Sequence, residues 1–158
     1  MSVVRAAQAW LTPEAPRERA LVARTLVAAF ATVYLLVRLR YFGDMSRHAA
    51  ADFAPVGVCS ALSVPLPAAV SWALAVATGA LGVAFTLGRR VRLVGPLFFL
   101  GLLWVVSYAS SWGKILHSEN LFVLHVLVFA LAGDLDDPRR AGWSLRAASL
   151  ATVISSPE

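Results

Sequence analysis

Leu66 to Leu87 reads LPAAVSWALAVATGALGVAFTL, twenty-two residues with no charge, set inside an uncharged run from Phe53 to Gly88. As a helix rising about 1.5 Å per residue it reaches about 33 Å, enough to cross the roughly 30 Å hydrocarbon core of a bilayer. Pro65 and Pro67 fall before it or in its first turn, where a missing N–H costs little. Three further apolar runs share this character. Ala20 to Val37 is interrupted only by Arg24, one turn in, from where a guanidinium can snorkel to the headgroups. Leu93 to Trp112 carries Pro96 in its first turn. The fourth, residues 115–133, is uncharged only from Asn120 to Gly133, so Ile115 to Glu119 must also enter the membrane for it to span. Each run demands a lipid-like solvent.

The rest of the chain agrees. It has 158 residues, 59% hydrophobic and 15% charged, with a mean hydropathy of +0.72. Ordinary soluble domains carry roughly 25% charged residues, and a chain this short has too little interior to hide such an apolar excess. The expected fold is an all-α polytopic transmembrane helical bundle, with residues 1–19 as an interfacial segment and residues 20–133 as the bundle. The net charge of +5 sits in clusters between the runs, which marks topology and not a nucleic-acid surface. One cysteine, Cys59, excludes an intramolecular disulfide and a multi-cysteine metal site. Ala49-Ala50-Ala51 offers small residues for signal cleavage, but Arg38, Arg40, Asp44 and Arg47 separate it from the apolar run. The first run therefore reads as a retained span.

Four spans place Arg5, Arg17, Arg19, Arg89, Arg90, Arg92, Arg139, Arg140 and Arg146 on one face. Arg38, Arg40, Arg47 and Lys114 fall on the other. Nine against four predicts a multi-pass protein of a bacterial inner membrane with a cytoplasmic N-terminus. Residues 134–158 are a polar turn followed by an apolar stretch, Gly142 to Ile154. Thirteen residues do not cross a bilayer as a helix. This stretch is expected to be an amphipathic surface helix, or the opening of a fifth span in a longer protein.

Close approach of helices in lipid relies on small residues. Ala75, Gly79 and Gly82, with Ser71 and Thr78, form such a face on the second run, suited to packing within the bundle or to a dimer. Ser107, Ser110 and Ser111 read as hydrogen-bonding glue between helices.

Chemistry concentrates in Ser111-Trp112-Gly113-Lys114-Ile115-Leu116-His117-Ser118-Glu119-Asn120. Lys114 is the one lysine among fourteen basic side chains, and a desolvated lysine, unlike arginine, can lose its proton. If the fourth helix reaches back to Lys114, His125 lies only about 20° around from it, Ser118 about 40° and His117 about 60° to the other side. Glu119 points away from that stripe. Two readings stand side by side. In one, Lys114 is a general base with His117 beside it, and His125 and Ser118 contact a substrate. In the other, the stretch is a wet loop and His125 makes an interhelical hydrogen bond. Arg38, Arg40 and His48, with Asp44, Arg47 and Asp52, form a second polar set in the loop on the same face, suited to an anionic group or to solvent. No metal is expected, because two histidines eight apart lack a third ligand.

Taken together, the first span after Glu18-Arg19, the Phe53-Ala54-Pro55 loop, Leu87-Gly88-Arg89-Arg90, and the Ser111 to Leu121 turn resemble the HTTM membrane module. That module is shared with vitamin K-dependent gamma-glutamyl carboxylases and with bacterial membrane proteins. The resemblance covers roughly residues 18–154. It implies a lipophilic quinol or quinone as ligand, an outward-facing site, and Lys114 as the base that deprotonates it. Leu-Gly-Arg after a span also occurs in DoxX-like four-helix proteins, so a redox accessory role is a further expectation. A non-catalytic subunit packed against a membrane-protein partner, or against a second copy, is the alternative from another class. Whether the chain is an enzyme is left open.

Overall fold

In the computed structural model, residues 10, 13–113 and 117–155 are described. Among them every regular element is helical, and no strand occurs. The protein is an all-α bundle. Helix α1 (Arg17–Val37) starts after Pro16, with Glu18 in its first turn, and stops at Arg38. A short helix α2 (Leu39–Asp44) follows, and then 3-10 turns at Met45–Arg47, Ala50–Asp52 and Gly57–Ala61. Helix α3 (Ala68–Thr86) begins after Pro67. A tight turn with Gly88 at φ 70° and Arg90 at φ 44° leads into α4 (Val91–Ser110). Helix α5 (His117–Ala132) ends at Gly133, whose φ of 61° gives the left-handed stop that glycine allows. Helix α6 (Pro138–Ser155) closes the described chain.

Three helices, α1, α3 and α4, are long and apolar enough to cross a membrane. Their outward faces carry large apolar side chains, including Leu26, Phe30, Val33, Val76, Val83, Leu97 and Leu100, all more than one-third exposed. That outward belt is what a lipid-facing bundle presents. Helix α5 is also apolar but shorter, with sixteen residues. Helix α6 begins at Pro138 instead of Gly142, because proline suits the first helical position and the Asp137 carboxylate accepts the Arg139 backbone N–H at 2.9 Å. Likewise α4 begins at Val91, which puts Pro96 inside the helix and not in its first turn.

The helices run up and down, with α1 touching α3, α5 and α6, α4 lying between α3 and α5, and α6 against α5. The central core joins Ala28, Ala31, Phe85, Phe98, Leu102, Phe122, Val126 and Phe129. The small-residue face of α3 is spent inside the bundle: Ser71, Ala75, Thr78, Gly79 and Gly82 are all buried there. Gly82 lies against Thr32 of α1 and Phe98 of α4, and Thr78 fills the space above Gly101 of α4. Intramolecular packing is thus the use made of this face.

Arg24 is 8% exposed, its guanidinium 5.9 Å from the Phe85 ring and directed to the turn at Gly88. The close backbone at Gly88 makes room for it, since even a Cβ there would come within 3.1 Å of its Nη2.

Candidate functional site at the loop end

Two ends of the bundle differ in chemistry. One carries Arg17, Arg92, Asp134 and Asp136 and is called the basic end here. The other, the loop end, is covered by residues 38–67. This cover is folded down onto α4 and is not a loose solvated loop. The Tyr108 hydroxyl bonds Ser46 Oγ at 2.8 Å and accepts the Leu66 N–H at 3.0 Å, and Ser46 Oγ meets Ser71 Oγ at 2.5 Å. The Ser111 carbonyl accepts the Ala54 N–H at 2.9 Å, and its hydroxyl accepts the Val56 N–H at 3.1 Å. Ser111 therefore anchors the cover instead of gluing helices together. Asp44 accepts the Trp72 indole N–H at 3.1 Å and pairs with Arg47 at 3.1 Å.

Beneath this cover lies a cavity of about 270 Å³, lined by Tyr41, Met45, His48, Asp52, Ala109 and Trp112. That is just below the roughly 300–1,000 Å³ range of small-molecule sites. Half of its lining side chains are rings, those of Tyr41, His48 and Trp112, and they are well supported. Trp112 packs against His48 at 5.6 Å, Phe53 at 5.1 Å and Tyr108 at 6.2 Å between ring centroids. The Trp112 indole N–H is buried and meets no acceptor among the described residues. Buried donors are rarely left unpaired, because an unmade hydrogen bond in a dry site costs about 1–3 kcal/mol.

Beside the cavity, α5 delivers a carboxylate into the bundle. Glu119, in the first turn of α5, is 2% exposed. Its Oε1 accepts a hydrogen bond from the Tyr34 hydroxyl of α1, and that hydroxyl in turn accepts Arg38 Nη1 at 2.6 Å. The Arg38 guanidinium lies 3.4 Å from the same Glu119 oxygen and 4.5 Å over the Tyr34 ring. Glu119 Oε2 is buried without a partner among the described residues. Tyr41 connects the two features. It lines the cavity, and its pKa is raised by burial first and by the Glu119 carboxylate second, against a smaller opposing effect of Arg38. At neutral pH it is a phenol able to donate a hydrogen bond.

The residues singled out from sequence are only partly gathered here. His48 and Asp52 line the cavity, and Arg38 joins the Glu119 cluster. Arg40 is exposed and belongs to neither. Lys114 lies outside the described residues. His117 and Ser118 open α5, but their side chains lie outside them too. His125 is directed to α6: its Nδ1 is 2.7 Å from the Leu121 carbonyl and its Nε2 is 3.1 Å from Thr152 Oγ1. Glu119, Tyr34 and Tyr41 were not foreseen. The spacing of Tyr34 and Arg38, four residues apart where α1 ends, was the available signal. Among the described residues no three His, Cys, Asp or Glu side chains converge as a metal site would require. Comparison with family models, with characterised proteins and with solved structures gives no match for this chain.

Proposed function

We propose that the chain is an HTTM-like membrane module whose loop-end cavity binds the ring of a lipophilic quinone or quinol, with that end facing outward and the N-terminus in the cytoplasm. The observation that carries the reading is the cavity of about 270 Å³ in which the Tyr41 and Trp112 rings meet the polar side chains of His48 and Asp52. A quinone ring is flat, suits aromatic neighbours such as Trp112, and presents carbonyl oxygens that accept from the Tyr41 O–H. His48 and Asp52 are polar groups able to meet the hydroxyls of the reduced form. The nine-to-four asymmetry of arginine and lysine supports the orientation. By the resemblance, Lys114 would supply the base.

The test is titration of the purified protein with decylubiquinone, read by quenching of tryptophan fluorescence. Saturable quenching is expected, and Tyr41→Phe should weaken binding about fivefold to tenfold, as loss of one hydrogen bond does. Ala109→Trp, which fills the cavity, should abolish it. Non-saturable quenching, or equal binding by native protein and both variants, would reject the site.

A further inference from the structure

A second cavity, at the basic end, plays no part in the reading above. It measures about 460 Å³ and is lined by Leu131, Ala132, Arg139, Arg140 and Trp143. Its chemistry is graded. Leu131, on the last turn of α5, is 66% exposed and continues the outward apolar belt, whereas Arg139 and Arg140 stand at the start of α6, beyond the helix end. Trp143 lies one turn further along α6, in the position where aromatic side chains meet a membrane interface.

The aspartates nearby each have a partner of their own, at shorter range than any ion pair of Arg139 or Arg140. Asp134 holds Arg92 at 2.8 Å, Asp136 holds Arg17 at 2.8 Å, and Asp137 caps α6 through the Arg139 backbone N–H. Arg139 meets Glu14 at 3.9 Å, with both side chains 74% exposed, a solvent pair of little strength. Arg140 has no ion pair among the described residues. Two guanidiniums therefore border a groove whose floor is continuous with the lipid-facing surface. Guanidinium is the side chain best matched to a phosphate, through paired N–H donors. The leucine and indole would be idle with a free anion, but they suit the first carbons of an acyl-glycerol.

We propose that this cavity seats the headgroup of an anionic phospholipid, its phosphate between Arg139 and Arg140 and its glycerol against Leu131 and Trp143. Basic pockets between membrane helices are known to favour such headgroups. The full-length protein, equilibrated in mild detergent with equal amounts of phosphatidylglycerol and phosphatidylcholine, is examined by native mass spectrometry. A preferentially retained phosphatidylglycerol is expected, with the preference cut at least about tenfold in the Arg139→Gln/Arg140→Gln double variant. Arg89→Gln, at an exposed arginine of the same end outside the cavity, should keep it. Leu131→Trp fills the groove without touching charge and should also lower retention, which decides the matter if the double variant does not fold. Unchanged preference in the double and Leu131 variants, or equal loss in Arg89→Gln, would overturn the proposal. So would complete displacement of the lipid by millimolar inorganic phosphate, which would make this a free-anion site.

Discussion

A carboxylate taken out of water at the edge of a membrane bundle loses several kcal/mol of hydration unless partners replace it. Glu119 obtains two, the Tyr34 hydroxyl and the half-exposed Arg38 guanidinium, and its place in the first turn of α5 adds the favourable helix dipole. The tyrosine contact is sheltered and the arginine contact is partly screened, so the first should dominate. Glu119→Gln keeps an acceptor for Tyr34 and is expected to cost about 1 kcal/mol or less. Glu119→Ala removes the acceptor of the tyrosine O–H, leaving that hydroxyl only its contact with Arg38, and should cost about 1–3 kcal/mol. A double-mutant cycle with Tyr34→Phe, measured by equilibrium unfolding in mixed micelles, should give a coupling of about 0.5–3 kcal/mol. Coupling near zero would mean that the two groups do not support one another.

Among the elements, α3 shows how closely the helices approach. A Cβ added at Gly82 would lie 2.5 Å from Thr32 Oγ1 and 2.8 Å from Phe98 Cε2, both on buried side chains of the helices to either side. At Gly79 the nearest atom is the Leu36 Cδ2 tip at 3.1 Å, on a side chain 44% exposed and free to turn. Gly82→Ala should therefore destabilise by about 1–3 kcal/mol through overpacking. Gly79→Ala should be near neutral, with the helix propensity gained offsetting a small adjustment. Thermal midpoints of both variants in one detergent check this, and equal effects would rule out the tight crossing at Gly82. Three of the four expected spans, α1, α3 and α4, are long and apolar enough to cross a membrane. This could be read from sequence because lipid imposes one requirement, an uninterrupted apolar length, that a single segment displays. The cover over residues 38–67 could not. Its short 3-10 turns have no periodicity, and it is held by Tyr108 and Ser111 from a helix far along the chain. The role of Glu119 is not legible in the sequence for a related reason. A helical wheel orders the residues of α5 among themselves, yet what gives Glu119 its role is Tyr34, 85 positions away on α1.

At the scale of the whole molecule, an apolar belt around α1, α3 and α4 separates two ends of unlike charge, and the orientation proposed from that charge is open to direct measurement. Ala51 is exposed in the loop-end cover and Arg89 is exposed in the turn at the basic end, so each can carry a reporter thiol. The native thiol should stay silent. Cys59 is fully buried, its Sγ 3.9 Å from the Trp104 carbonyl, and burial pushes its pKa from 9.0 to about 11. The thiolate is the reactive form, so at pH 7.5 that shift alone lowers reactivity about 100-fold relative to an exposed thiol. The background should grow only as the pH climbs toward 11. In intact bacterial spheroplasts at pH 7.5, a membrane-impermeant maleimide is expected to label Ala51→Cys at once, and Arg89→Cys only after permeabilisation. The reverse pattern would place the aromatic cavity on the cytoplasmic side. Because the two reporters sit at opposite ends of the same bundle, labelling of both without permeabilisation would instead deny that the belt spans the membrane at all.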